Sequence, residues 1–214
     1  MRRIVWTVLL LLVVVLPVVA RADTIILENW FGTVSILNSG ISSYGSQLRS
    51  VTVNGQNIGS GHAMGSVKFW TGAFTPAQAG GTVYGSGTFA GGDNVSGFVV
   101  KGQWGSAKGD RGTIFNGYFV GPVDWTLQPG AKKFFHEYIL SGKIKGQLWN
   151  GHMATGTVTE DIYTFWNQEK KDHSGSIHLG SVQTNSTPEP GTLGLLGSGL
   201  LAMAGAIRRK ISRV

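Results

Sequence analysis

From Asp23 to about Thr184 the chain never sustains a helical period; apolar and polar residues alternate over short runs that glycine interrupts every eight to twelve residues. Alternation puts successive side chains on opposite faces of a strand, so runs of this kind fold as half-buried strands. Val123-Asp124-Trp125-Thr126-Leu127-Gln128 and Lys143 to Leu148 alternate without a break. Val51 and Val53 precede Asn54-Gly55, a strong hairpin signal, and the dipeptide recurs at Asn116-Gly117 and Asn150-Gly151. Pro129-Gly130 and Gly91-Gly92-Asp93-Asn94 mark further turns. Ile162 to Trp166 and Phe134 to Leu140 are apolar on both faces, as central strands are. About ten to twelve strands fit. The predicted architecture is an all-β domain over residues 23–184, an antiparallel β-sandwich of jelly-roll type, with a single closed barrel as the alternative.

Composition narrows what holds this domain together and what it meets. There is no cysteine, which excludes disulfides, thiolate catalysis and iron–sulfur clusters. Glycine, at 33 of 214 residues, weakens strands locally, so cross-strand aromatics must supply much of the packing. The formal charge of +7 first points to a polyanion partner. Seven of the 18 basic residues, however, are Arg2, Arg3, Arg21, Arg208, Arg209, Lys210 and Arg213, leaving 11 against 11 acidic residues elsewhere. A nucleic-acid binder clusters its basic residues on the folded domain, so no nucleic-acid partner is expected.

The two ends carry those charges for a different reason. Residues 1–22 combine the Arg2-Arg3 pair, an apolar run from Ile4 to Val19 and Ala20-Arg21-Ala22, the small-residue pattern that signal peptidase reads. An N-terminal signal helix, cleaved before Asp23, is expected. Residues 185–214 hold Pro188-Glu189-Pro190, an uncharged stretch over 191–207 and the basic end Arg208-Arg209-Lys210 over 208–214. That stretch just reaches the length of a transmembrane helix, and the basic cluster after it belongs on the cytoplasmic side. Both ends therefore give one topology, with the domain outside. An outer-membrane barrel also alternates and carries aromatics. It is set aside because its strands are expected to be longer and because the C-terminal helix points to the inner membrane.

The order of box, short apolar helix and basic end resembles the PEP-CTERM sorting signal. The resemblance implies a protein exported by a Gram-negative bacterium, anchored in the inner membrane and then processed by a transpeptidase-like exosortase to the cell surface or extracellular matrix. Many such proteins are linked to exopolysaccharide. Pro188, Glu189 and Pro190 would be the recognition box; two prolines keep it extended and readable. Gly65-Ser66-Val67-Lys68-Phe69, Gly121 to Leu127 and Gly146-Gln147-Leu148-Trp149-Asn150-Gly151 also resemble PEP-CTERM-bearing proteins of unassigned function. This second resemblance carries an architecture and no active site.

No stretch of the domain spells out a catalytic or metal centre. His62, His136, His152, His173 and His178 lack metal-ligand spacing, and His173 and His178 fall on opposite faces of one strand. No D-x-D-x-D calcium pattern occurs at Asp93-Asn94 or Gly109-Asp110. No metal and no cofactor are expected. Glu160 and Asp161 are neighbours on a strand and point apart, so a glycosidase pair would have to join Glu137 to one of them. Of the six tryptophans in the domain, Trp70 beside Lys68 and Trp149 after Lys143, Lys145 and Gln147 are the candidate glycan contacts, since flat apolar rings stack on sugar C–H faces. The others fit cross-strand packing. The expectation is a non-enzymatic structural or interaction protein associated with exopolysaccharide; the alternatives are a carbohydrate-binding module and, behind it, a glycoside hydrolase.

Overall fold

The computed structural model describes residues 23–103, 111–129, 135–165 and 173–186, together with Met203. The signal helix at 1–22 and the transmembrane helix at 191–207 lie outside the described residues. Among the described residues no helix is long and apolar enough to cross a membrane.

Where alternation is cleanest the strands follow it residue by residue. The thirteen are β1 (Thr24–Trp30), β2 (Thr33–Leu37), β3 (Gly40–Tyr44), β4 (Ser46–Val53), β5 (Gln56–Trp70), β6 (Phe74–Pro76), β7 (Gly87–Phe89), β8 (Gly97–Gln103), β9 (Arg111–Phe119), β10 (Val123–Leu127), β11 (Phe135–Leu148), β12 (Met153–Phe165) and β13 (Ser174–Ser186). Asn54 and Gly55 both take positive φ, 52° and 79°, and close the β4–β5 hairpin as a two-residue turn. Asn150-Gly151 turns β11 into β12. Asn116-Gly117 does not turn: it lies within β9.

The domain is all-β and antiparallel, but it is a closed barrel and not the expected sandwich. β11 pairs with β12, β12 with β13, β13 with β1, then β4, β5, β8 and β9 follow, and β9 returns to β11. Eight strands thus close on themselves, with no open edge in the ring. The β2–β3 hairpin adds to the start of β13, and a β6–β7–β10 ribbon adds to the first half of β11. Alternation is identical in a sandwich and a barrel, because it fixes which face is buried and not which strand is the neighbour. Closure needs sharp coiling, and glycine supplies it. A Cβ at Gly65 would come within 2.0 Å of the Lys101 carbonyl across the pair with Gly102, and one at Gly117 within 2.3 Å of the Lys145 carbonyl across the pair with Gly146.

The barrel is filled. Phe69, Phe98, Phe115 and Phe119 are buried and interlock edge to face or stacked at centroid distances of 5.8–6.4 Å. Each such side chain contributes roughly 1.5–3 kcal/mol by burial. Trp125 stacks on Tyr138 at 4.4 Å and donates its indole N–H to the Val83 carbonyl. Among the described residues one charged-type side chain enters this interior: Glu160, fully buried, accepts a hydrogen bond from Asn29 Nδ2, which also donates to Ser46 Oγ.

Several strands reach 13 to 15 residues, so strand length is no argument against a membrane barrel. The orientation of the side chains is. Thr155, Thr157, Thr159, Lys143, Lys145 and Gln147 face outward while the aromatics fill the inside, the reverse of a lipid-facing barrel.

Candidate functional site

The outer face of β5, β8, β9 and β11 brings together most of what the sequence singles out for binding. Interstrand register defines it in rows. One row runs Lys68, Val99, Asn116, Gln147. The next begins with Trp70 opposite Gly97; one step beyond the Phe98–Gly117 pair it reaches Tyr118, then Lys145. On the other side lies Ser66, Lys101, Thr113. Trp149 follows Gln147 on this wall, its backbone N–H donating to the Ile114 carbonyl.

Two features shape the wall. First, the Trp70 indole lies on Gly97: a Cβ there would meet the ring at 2.1 Å. The absent side chain lets a large ring rest on the sheet and still be 38% exposed. Two strands away, about 10 Å at ordinary strand spacing, stands the half-buried ring of Tyr118. Second, the Gly65–Gly102 pair leaves a groove of about 480 Å³ bordered by Met64, Ser66, Lys101 and Thr113. Lys68 Nζ lies 5.9 Å from the Trp70 ring centroid, at the outer limit of a cation–π contact.

Trp70 and Trp149 therefore share one wall, both exposed, but they are three strands apart and four residues apart in register. The aromatic in the row of Trp70 is Tyr118, which sequence reasoning missed. No periodicity links residues 48 positions apart; only the register does. A second groove, of about 450 Å³, was equally invisible. A bulge in β4 at Arg49 carries its guanidinium over the half-buried Trp30, 4.4 Å from the ring, beside Glu28 and Ser50.

The carboxylates separate as expected in part. Glu160 points inward and Asp161 outward. Burial pushes the Glu160 carboxyl up to about 8, against a smaller lowering by the Asn29 hydrogen bond. Asp161 is raised by partial burial, then by the charge and hydrogen bond of Glu137, against the His178 imidazole 3.9 Å away. Glu137 and Asp161 lie diagonally across the β11–β12 pair, near enough for each other's charge to be felt. His178 sits at a bulge of β13; His173, at φ 47°, contacts the Tyr84 hydroxyl at 2.6 Å. Among the described residues no group of three or more His, Cys, Asp or Glu is placed to hold a metal ion.

Residues 186–210 match the PEP-CTERM protein-sorting motif. The chain carries a PEP-CTERM sorting tail. No curated protein and no solved structure matches the chain. A PEP-CTERM tail implies export, membrane anchoring and then processing by an exosortase. Pro188, Glu189, Pro190, Arg208, Arg209 and Lys210 fall in the matched segment and outside the described residues.

Proposed function

We propose that this PEP-CTERM-bearing protein is a non-catalytic matrix protein of a Gram-negative cell surface that holds exopolysaccharide against the β5–β8–β9–β11 wall of its barrel. In this reading the leader at 1–22 is removed by signal peptidase. The segment 191–207 spans the inner membrane until the exosortase releases the domain.

The observation that carries the reading is the Trp70 ring resting on Gly97 in the row of Tyr118. A ring laid on a sheet offers one flat apolar face outward, the shape that matches a pyranose C–H face. Asn116 and Gln147 in the adjoining row are exposed amides that donate and accept, as sugar hydroxyls require. A barrel with no cysteine and no open edge in its ring is also a scaffold that keeps its form outside the cell without disulfides.

The test is affinity electrophoresis of the full chain, purified from an exosortase-bearing host, through gels holding that host's exopolysaccharide. The expected result is retardation of the wild type and a loss of about tenfold in affinity for Trp70→Ala, the worth of one stacked aromatic. Equal mobility with and without the polysaccharide would remove the glycan reading.

A further inference from the structure

The charges of the barrel are not spread evenly over its outer surface. Lys68, Lys101, Lys143 and Lys145 all project from the β5–β8–β9–β11 wall and are exposed. Over residues 66–70, 97–103, 112–119 and 142–148, which make up that wall, the sequence contains no aspartate or glutamate. Outward carboxylates lie beside it: Glu28 on β1, Asp161 on β12, Glu137 on the first half of β11 and Asp124 on β10, where Asp124 borders a groove together with Lys143. A domain that is close to neutral in sum is thus locally cationic on one side.

The lysines are also placed with the binding features and not apart from them. Lys145 stands beside Tyr118 in the row of Trp70, Lys68 flanks the Trp70 ring and shares a row with Asn116 and Gln147, and Lys101 borders the glycine-floored groove. None of the four has a carboxylate partner in an ion pair among the described residues. Four ammonium groups separated by strand-spacing steps, interleaved with an aromatic platform and amides, complement a chain that presents negative charge at intervals between sugar rings.

We propose that the polymer held by this wall is an anionic polysaccharide bearing carboxylate groups, the rings stacking on Trp70 and Tyr118 and the carboxylates pairing with Lys68, Lys101, Lys143 and Lys145. This rests on the glycan reading above and narrows it to a substrate class. Exposed charge pairs of this kind are screened by salt, whereas ring stacking is not. Binding should therefore weaken on the order of tenfold between 50 and 200 mM salt.

The experiment uses the full chain with three probes: polygalacturonate, neutral dextran and double-stranded DNA. Affinities are measured at both salt concentrations for the wild type and for Lys68→Gln/Lys101→Gln/Lys143→Gln/Lys145→Gln, with thermal melting to show that the variant is folded. The expected result is tight, salt-sensitive binding of polygalacturonate that the variant loses by at least tenfold, with dextran and DNA bound more weakly by the wild type. Dextran bound as tightly as polygalacturonate and without salt dependence would overturn the anionic class while leaving the glycan reading in place. DNA bound as tightly as polygalacturonate would overturn the polysaccharide assignment and leave a general polyanion surface. No binding of either glycan would remove both.

Discussion

The β5–β8–β9–β11 wall and the β12–β13–β1 wall are made by the same antiparallel pairing, yet they present opposite surfaces. On the second, Thr155, Thr157 and Thr159 of β12 stand beside Asn185, Gln183 and Ser181 of β13. Over that stretch the outward positions of β12 and β13 carry short polar side chains, a patch of hydroxyls and amides. On the first, the outward Gly97 leaves room for the Trp70 ring, the inward Gly65, Gly102, Gly117 and Gly146 let the strands approach closely, and large rings and lysines project outward. The lesson is that outward polarity alone does not make a binding face. Relief does, and at Gly97 the missing side chain creates it by seating the Trp70 ring. Inside they differ too: the first wall is backed largely by phenylalanines, the second by aliphatic residues such as Leu27, Val158 and Val182 with Glu160 among them.

The largest expected effect follows from that interior difference. Glu160 has a folded pKa of about 8 against about 4.5 unfolded. Between those values the folded protein keeps a proton that the unfolded chain has released. The neutral acid's contribution is therefore fully present below about pH 4.5, falls as pH rises and is lost above about 8. The span corresponds to on the order of 5 kcal/mol. Asp161, raised but only partly buried, adds a smaller change of the same sign. Denaturant unfolding of the wild type should show stability declining from pH 5 to pH 8. Glu160→Gln should flatten that profile and exceed the wild type at pH 8.5. A wild-type curve that is level across this range would show that Glu160 is ionised in the fold.

The next effect separates an inward from an outward glycine of the first wall. Gly117→Val places a side chain 2.3 Å from the Lys145 carbonyl, where backbone must move. A cost of about 3 kcal/mol is expected, at the upper end for overpacking. Gly97→Ala on the same wall meets only the indole of Trp70, which can swing outward. It should cost under about 1 kcal/mol in stability yet reduce glycan affinity nearly as far as Trp70→Ala. If Gly97→Ala binds like the wild type, the ring's resting position does not matter to binding.

How much of this was legible in the sequence depends on whether a feature is local. Asn54-Gly55 named its own hairpin, because a two-residue turn with positive φ at both positions is a property of two residues. That Glu160 and Asp161 face opposite sides follows from the pleat alone. Barrel closure did not show, since it depends on β12 and β13 each finding a second neighbour, and β13 meets β1 across the whole length of the domain. Asn116-Gly117 misled for the same reason. Its glycine serves a partner strand that only register reveals, Gly146, and not a turn. Trp70 and Trp149, singled out as candidate glycan contacts, are both exposed, but the residue in the row of Trp70 is Tyr118, brought there by strand order.

The smallest expected effect is also the sharpest control on the comparison. Thr157 lies at the centre of the polar patch, exposed, opposite Lys143 on one side and Gln183 on the other. Thr157→Ala removes a β-branched side chain from a strand but leaves no buried group unpaired, so the stability change should stay within about 0.5 kcal/mol. If the relief of the opposite wall is what binds, glycan affinity should not change either. A tenfold loss on this substitution would mean that the polymer crosses the polar patch, and that Lys143, the residue shared between the two surfaces, marks the middle of the contact and not its edge.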